Sequence, residues 1–319
     1  MRIHYLGHAS FVLRFENGQS LLMDYGVSNS YGRHSPVFSI SGAEPSIVTF
    51  SHDHLDHRRP DISFSTARVL AGGGDLALEG LTIRSIPTSE TSMDVADNAS
   101  FLITYGGFKV LHLGDAQAYI AAIDDPVVKH RVKARYPDKY DLVLMTIGGP
   151  SEITAEAAAF LDLLAPARAI PMHYWSEETK ADFLAELRNL NRLNRGLADR
   201  FTIAEPGGSD FSLYADPAPF GTKVISLVPS PLYLPYDGVS LGRTAGAPAT
   251  PDLEFAAGTR LGVETAGSAL PGRAAAIPPR CRPSVAPRPA HRPVAAPGSS
   301  VHGHPVAGVP RPVAPGWGN

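Results

Sequence analysis

The sequence predicts a mixed α/β fold, a four-layer αββα sandwich with a cleft at one sheet edge. Three observations carry this expectation. Short β-branched or alternating apolar runs crowd the first half of the chain, longer amphipathic stretches suited to outer helices come later, and chemically distinctive residues recur where an apolar run stops.

Residues 2–6, 9–15 and 20–24 read as strands, with Asn17-Gly18 turning between the second and third. His8 lies in the first connection. Asp24 ends the third strand, where its carboxylate is expected to hold loop amides. Tyr25 to Pro45 is rich in Gly, Ser and Pro and reads as a loop of about twenty residues, a length often used for lids. Its Tyr31 and His34 could touch substrate or simply be solvated.

Ser46 to Phe50 is an apolar strand that runs into Ser51-His-Asp-His-Leu-Asp-His57. In extended backbone, side chains two apart share a face, so His52 and His54 point to one side of a cleft. Asp56 and His57 come round to a second point as the chain turns. Three imidazoles and a carboxylate suit zinc or another borderline divalent ion, at one or two subsites. A closed structural zinc site would prefer thiolates, and the only cysteine, Cys281, stands in a proline-rich stretch.

Residues 67–71 and 81–86 read as further strands separated by Gly72-Gly-Gly74, and 98–105 and 108–113 as a hairpin around Gly106-Gly107. Asp115 follows Gly114 at a strand's end, placed to ligate a metal or to cap a helix over 117–123. A helix over 126–135 leads to a central strand at 140–147 and then to Gly148 and Gly149, whose amides could face a substrate oxyanion or merely turn the chain. Thr154 is expected to cap a helix over 154–164. After a strand at 167–171 come His173, Tyr174 and Trp175; the two aromatic residues could line a substrate pocket or pack in the core. A helix over 177–195 stopped by Gly196, strand pieces at 201–204 and 211–215, and an edge strand at 223–228 complete a domain of residues 1–228. From 229 to 319 prolines interrupt every periodic pattern, which predicts a Pro/Ala/Gly-rich disordered tail whose His302 and His304 are incidental.

His52, His54, Asp56 and His57 resemble the signature of the metallo-β-lactamase fold superfamily of metal-dependent hydrolases. Tyr5-Leu-Gly-His-Ala-Ser10, Leu113-Gly-Asp115, Ile147-Gly-Gly149 and Ile170-Pro-Met-His173 resemble, more narrowly, the branch of L-ascorbate-6-phosphate lactonase-like enzymes, over about residues 1–215. The resemblance implies the αββα sandwich and a ligand set of His52, His54, Asp56, His57, Asp115 and His173. It implies one or two zinc ions, with Mn2+ or Fe2+ admissible, and it puts His8 beside the site, as a support for a ligand or as a proton donor. One departure matters. The family places a further histidine after the strand at 81–86, and here Ile86-Pro-Thr-Ser-Glu-Thr-Ser92 holds none. Glu90 is the available substitute, since a carboxylate oxygen also ligates zinc. His112 sits three residues before Asp115 in a strand, so alternation turns it away.

Composition excludes several partners. All six charges after Glu264 are arginines, leaving 22 basic against 31 acidic residues before that point, and so acidic a body argues against a nucleic-acid-binding face. No apolar run reaches the roughly 18 residues a membrane span needs. One cysteine and a start directly in a strand pattern point to a soluble cytoplasmic protein. The expected activity is hydrolysis of a lactone, other ester or phosphoester bond in a small molecule. Asp56 would orient an activated water and His8 would protonate the leaving group. Two other readings remain open at this level, a mononuclear or di-iron redox enzyme and a metal-bound interaction protein without catalysis. The oligomeric state has no signature in the sequence.

Overall fold

The computed structural model describes residues 1–32, 35–149, 152–193, 199–213 and 221–235. Strands β1 (Arg2–Gly7), β2 (Ser10–Arg14) and β3 (Ser20–Met23) form an antiparallel meander, β4 (Ile40–Gly42) forms inside the stretch 25–45 expected as one loop, and β5 (Ile47–Phe50) and β6 (Arg68–Ala71) flank the histidine loop. Strands β7 (Leu76–Leu78), β8 (Leu81–Thr88), β9 (Asn98–Tyr105) and β10 (Phe108–His112) make an antiparallel run. Helices α1 (Gln117–Ala121) and α2 (Pro126–Arg135) then precede β11 (Leu142–Thr146), α3 (Thr154–Leu164) precedes β12 (Arg168–Met172), and α4 (Glu177–Leu193) precedes β13 (Phe201–Ala204). Strands β14 (Asp210–Ser212), β15 (Thr222–Ile225) and β16 (Leu232–Leu234) come last.

Two large sheets result, one ordered β14-β1-β2-β3-β5-β6 and the other β13-β15-β12-β11-β10-β9-β8-β7, with β16 and β4 paired in a small ribbon. The strand period of two assigns the faces of the first sheet. Phe11, Leu13, Leu21 and Met23 enter a large core shared with Phe101, Ile103, Leu144 and the helices. Their neighbours Val12 and Leu22 turn the other way, into a smaller cluster with Val48 and Phe50. That cluster is closed by Tyr25, Val37, Leu232 and Leu234 and includes no residue of the four helices. The long loop and the β4–β16 ribbon thus cover the face. β11 is buried along its whole length, as a strand flanked by two parallel neighbours must be. Truncating its Leu144 to Ala would cost about 2–5 kcal/mol.

Three local expectations change. β15 is not an edge strand: it lies between β12 and β13, parallel to both, which leaves β13 at the sheet edge. Thr154 is the first residue within α3 rather than its cap, because the helical ladder starts one residue earlier, with the Ile153 carbonyl accepting from the Ala157 N–H at 2.7 Å. The chain also stays in the fold beyond residue 228, since Leu232 pairs with Ile40 and Leu234 with Gly42. The expected tail beyond Pro235, with Cys281, His302 and His304, lies outside the described residues, as do His34 and Gly196. Among the described residues no helix is long and apolar enough to cross a membrane.

Candidate metal centre

The edge where the two sheets meet gathers residues from five connections. β5 ends at Phe50 and releases the loop carrying His52, His54, Asp56 and His57; β8 leads to Glu90; β10 leads through Gly114 to Asp115; β12 leads to His173; the β1–β2 turn supplies His8. Gly114 adopts φ 60°, a left-handed turn that aims Asp115 into the gap, and a Cβ there would lie 2.6 Å from both Asn98 Oδ1 and Ser51 Cβ. His8 and His173 also take left-handed backbone, at φ 50° and 55°. Non-glycine residues held there are strained, a condition common at functional sites.

The five imidazoles form a bent row that turns at His173, so that the His8 and His57 centroids come within 5.9 Å. Ring centroids are 4.5 Å apart from His54 to His52, 4.2 Å from His52 to His57, 4.9 Å from His57 to His173 and 4.3 Å from His173 to His8. Carboxylates lie along it. Glu90 Oε2 is 3.3 Å from His52 Nε2 and 3.1 Å from His54 Nδ1. Asp115 Oδ2 is 3.4 Å from His173 Nε2. Asp56 Oδ2 is 3.2 Å from His8 Nε2, 3.7 Å from His173 Nε2 and 3.8 Å from His57 Nε2. Donor atoms fall into three overlapping groups, each within a span of 4.8 Å: His8, Asp56, His57 and His173; His52, His57 and Asp115; and His52, His54 and Glu90.

What fixes the rings is the hydrogen bonding of their far nitrogens. His57 Nδ1–H donates to Asp24 Oδ2 at 2.7 Å, and His173 Nδ1–H donates to the Gly148 carbonyl at 2.9 Å. His52 Nδ1 is 2.9 Å from Ser51 Oγ, whose own hydroxyl donates to Asp24 Oδ2 at 2.7 Å. In each case Nδ1 is the donor, which leaves Nε2 facing the gap as the nitrogen that ligates in the neutral ring, the arrangement by which outer partners select a ligand's tautomer. His52 Nε2, His57 Nε2, His173 Nε2, Asp56 Oδ1 and Asp115 Oδ1 are buried there without a hydrogen-bond partner. Buried polar atoms without partners are costly, and a divalent cation satisfies imidazole nitrogens and carboxylate oxygens together. The residues present therefore fit a metal.

Charge agrees with that reading. Burial alone would push Asp56 up, yet the imidazoles of His173, His8 and His57 hold its carboxyl well below the usual range. Burial and then the positive neighbour His57 depress His52 to about 3, and burial with His173 depresses His8 to about 4. His173 goes the other way, to about 9, because Asp115 and Asp56 outweigh its burial. Burial and then the Asp115 carboxylate raise Glu90.

The remaining site residues divide. Trp175 stands edge-on to His8 with centroids 5.5 Å apart, so it walls the inner end of the row. Tyr174 packs in the main core instead, with the Lys180 ammonium 5.3 Å over its ring. Gly148 contributes its carbonyl to His173, and Gly149 lies flat against Gln117, whose Nε2–H donates to Asp115 Oδ2 at 3.0 Å. Asp115 caps no helix; α1 begins without a side-chain cap. His112 turns away as expected, with Nε2–H donating to the Ala9 carbonyl. Tyr31 is exposed on the loop, its hydroxyl accepting from the Leu55 N–H. The sequence reading foresaw Asp24 holding a loop amide, which it does at Ser51, but missed its bond to His57. It also missed Ser35, whose Oγ lies 2.6 Å from His8 Nδ1. No spacing signal marks these two, since both reach the site from distant loops.

The sequence model described as the beta-lactamase superfamily domain matches residues 2–173. The chain belongs to that family, the metallo-β-lactamase superfamily its motifs resemble. Among similar proteins, a metal-dependent hydrolase of Pyrobaculum arsenaticum is 26% identical over 215 residues, covering 60% of this chain and 94% of that protein. A metal-dependent hydrolase of Pyrobaculum calidifontis is 28% identical over 193 residues, 54% of this chain and 84% of its own. Of solved structures, a Thermotoga maritima protein described as a candidate Zn-dependent hydrolase of the metallo-beta-lactamase superfamily has a TM-score of 0.46 at 22% identity, covering 71% of this chain and all of that one.

Proposed function

We propose that the chain is a metal-dependent hydrolase that uses an activated water to cleave a lactone, other ester or phosphoester bond in a small molecule. The observation that supports this most is the set of five buried, unpartnered ligand atoms facing one gap. His52, His54, His57, His173, Asp56, Asp115 and Glu90 would hold one or two ions, with zinc favoured by the imidazoles. A bound divalent ion lowers the pKa of water from about 15.7 towards 7 and polarises the oxygen of the scissile bond.

The chain's own groups would do the rest. Asp56 Oδ1 has no other partner and would orient the attacking water as an acceptor. His8, 3.2 Å from Asp56 Oδ2 and anchored through Nδ1 by Ser35, is held neutral by its burial and would steady Asp56, leaving water in the site to protonate the leaving group. Trp175 would bound the substrate and exclude bulk water. No nucleophilic serine or cysteine is needed.

The test is turnover of lactones, carboxylic esters and phosphodiesters by the full chain after its bound metal has been quantified. Hydrolysis that tracks metal content is expected, and metal-loaded protein inert toward all three classes would sink the proposal. An iron redox enzyme is the second reading, because two imidazoles with one carboxylate, as at His52, His54 and Glu90, also suit Fe(II). Stoichiometric iron with visible absorption in protein made without added metal would favour it.

A further inference from the structure

His112 is a fully buried histidine that takes no part in the row of imidazoles. It is the last residue of β10, and its ring stands edge-on to Phe11 of the other large sheet with centroids 6.2 Å apart. Both ring nitrogens are engaged. Nδ1 accepts from the Gly114 N–H at 3.1 Å, and Nε2–H donates to the Ala9 carbonyl at 3.0 Å. Asp24 Oδ2, 3.9 Å from Nδ1, lies beyond hydrogen-bonding reach. The ring proton therefore sits on Nε2, the reverse of the arrangement at His57 and His173, where Nδ1 donates.

Each bond lands one residue from the metal centre. Gly114, at φ 60°, turns the chain into Asp115, and Ala9 follows His8, itself left-handed at φ 50°. A non-glycine residue stays in that conformation where its surroundings over-determine it. The His8–Ala9 turn is pinned twice from the second sheet, by the His173 N–H on the His8 carbonyl at 2.9 Å and by His112 on Ala9. The Asp115 turn is held by three side chains: His112, the Thr146 hydroxyl donating to the Gly114 carbonyl at 2.6 Å, and Asn98 Oδ1 accepting from the Asp115 N–H at 2.9 Å. Thr146 and Asn98 stand on strands of the same sheet as His112. His112 is the one of the three whose other bond reaches the β1–β2 turn.

We propose that His112 is a positioning residue for the metal centre, a rigid brace that sets Asp115 on one sheet against His8, and through it Asp56, on the other. Its effect on turnover rests on the hydrolase reading; its effect on metal binding does not.

The experiment uses the full chain and two substitutions that each keep one arm of the brace. In His112→Asn an oxygen stands where Nδ1 stands, so the Gly114 bond persists and the Ala9 bond is lost. In His112→Gln an amide N–H still reaches Ala9, and the acceptor beside Gly114 is lost. Zinc affinity, measured by competition with a chromogenic chelator, should fall about tenfold in His112→Gln and stay at the wild-type level in His112→Asn. On an ester that the wild type hydrolyses, His112→Asn should lower kcat about tenfold at unchanged KM. Hydrogen exchange at the Gly114 amide should quicken in His112→Gln and not in His112→Asn. In the wild-type chain, ring 15N shifts should report the Nε2–H tautomer of His112.

A ring that merely fills the core predicts that both variants lose zinc affinity in step with their melting temperatures. That outcome, wild-type zinc affinity in His112→Gln, or an Nδ1–H tautomer in the wild-type chain would each overturn the brace. Zinc binding without turnover of any ester would sink the hydrolase reading instead, and the zinc and exchange results would still decide the role of His112. A chain that binds no metal would overturn both.

Discussion

Asp24 and His57 are joined by a 2.7 Å hydrogen bond between two fully buried side chains, and through Ser51 the same carboxylate also steadies His52. One aspartate therefore sets the tautomer of two adjacent imidazoles. The His57 and His52 imidazoles in turn face the gap with Nε2. Despite its burial, His57 and His112 pull the Asp24 carboxyl down to about 2, so it stays ionised at any working pH.

Asp24→Asn removes that charge while keeping the volume. Metal affinity should fall on the order of 10–100-fold, measured by competition with a chromogenic chelator. Wild-type affinity in this variant would mean that the histidines are oriented by something else.

Asp56→Ala and His173→Ala should each abolish turnover and lower bound metal, read by activity assay and elemental analysis. The two side chains close the inner group, with 3.7 Å between His173 Nε2 and Asp56 Oδ2. Unaltered turnover in either variant would refute the site.

Metal uptake should release a proton from His173. Its folded pKa is raised from 6.5 to about 9, so the metal-free imidazole is charged at neutral pH and must lose its proton to ligate. Metal affinity should therefore rise with pH up to about 9. The sign for the metal-free protein is opposite, because a raised histidine pKa stabilises fully below 6.5 and that contribution disappears as pH climbs through about 9. His52 and His8, at about 3 and 4, stay neutral across this window. Calorimetry in buffers of different ionisation enthalpy reads the proton release. Melting of metal-free and metal-loaded protein should diverge from pH 6.5 to 9, and a constant gap would contradict the assignment.

Gly149→Ala should act at a distance. A Cβ there would lie 2.0 Å from Gln117 Nε2, the atom that donates to Asp115 Oδ2. Displacing that amide costs about 1–3 kcal/mol of stability and frees the Asp115 carboxylate to move. In a Gln117→Ala background the same change should cost much less, since the obstacle is gone; additive losses in the double-mutant cycle would rule out this route.

Several site features were legible in the sequence because they are local. A strand exit with histidines at alternate positions must present His52 and His54 together, and the runs ending at Asp115 and His173 announced strands with a polar residue at the tip. The missing histidine after β8 was visible too, and the fold brings Glu90 Oε2 to 3.3 Å from His52 Nε2 and 3.1 Å from His54 Nδ1.

What tertiary structure alone decided is which distant residues stand behind those ligands. Parallel pairing of Met23 with Thr49 brings Asp24 alongside Ser51, and that register depends on which strands the fold chooses as neighbours. The same holds for Ser35 against His8, Asp97 beneath Glu90, and β15 inserted between β12 and β13. Backbone spacing fixes which side chains share a local face. Long-range pairing, driven by burial of whole faces, fixes which faces meet, and no window of sequence contains that information.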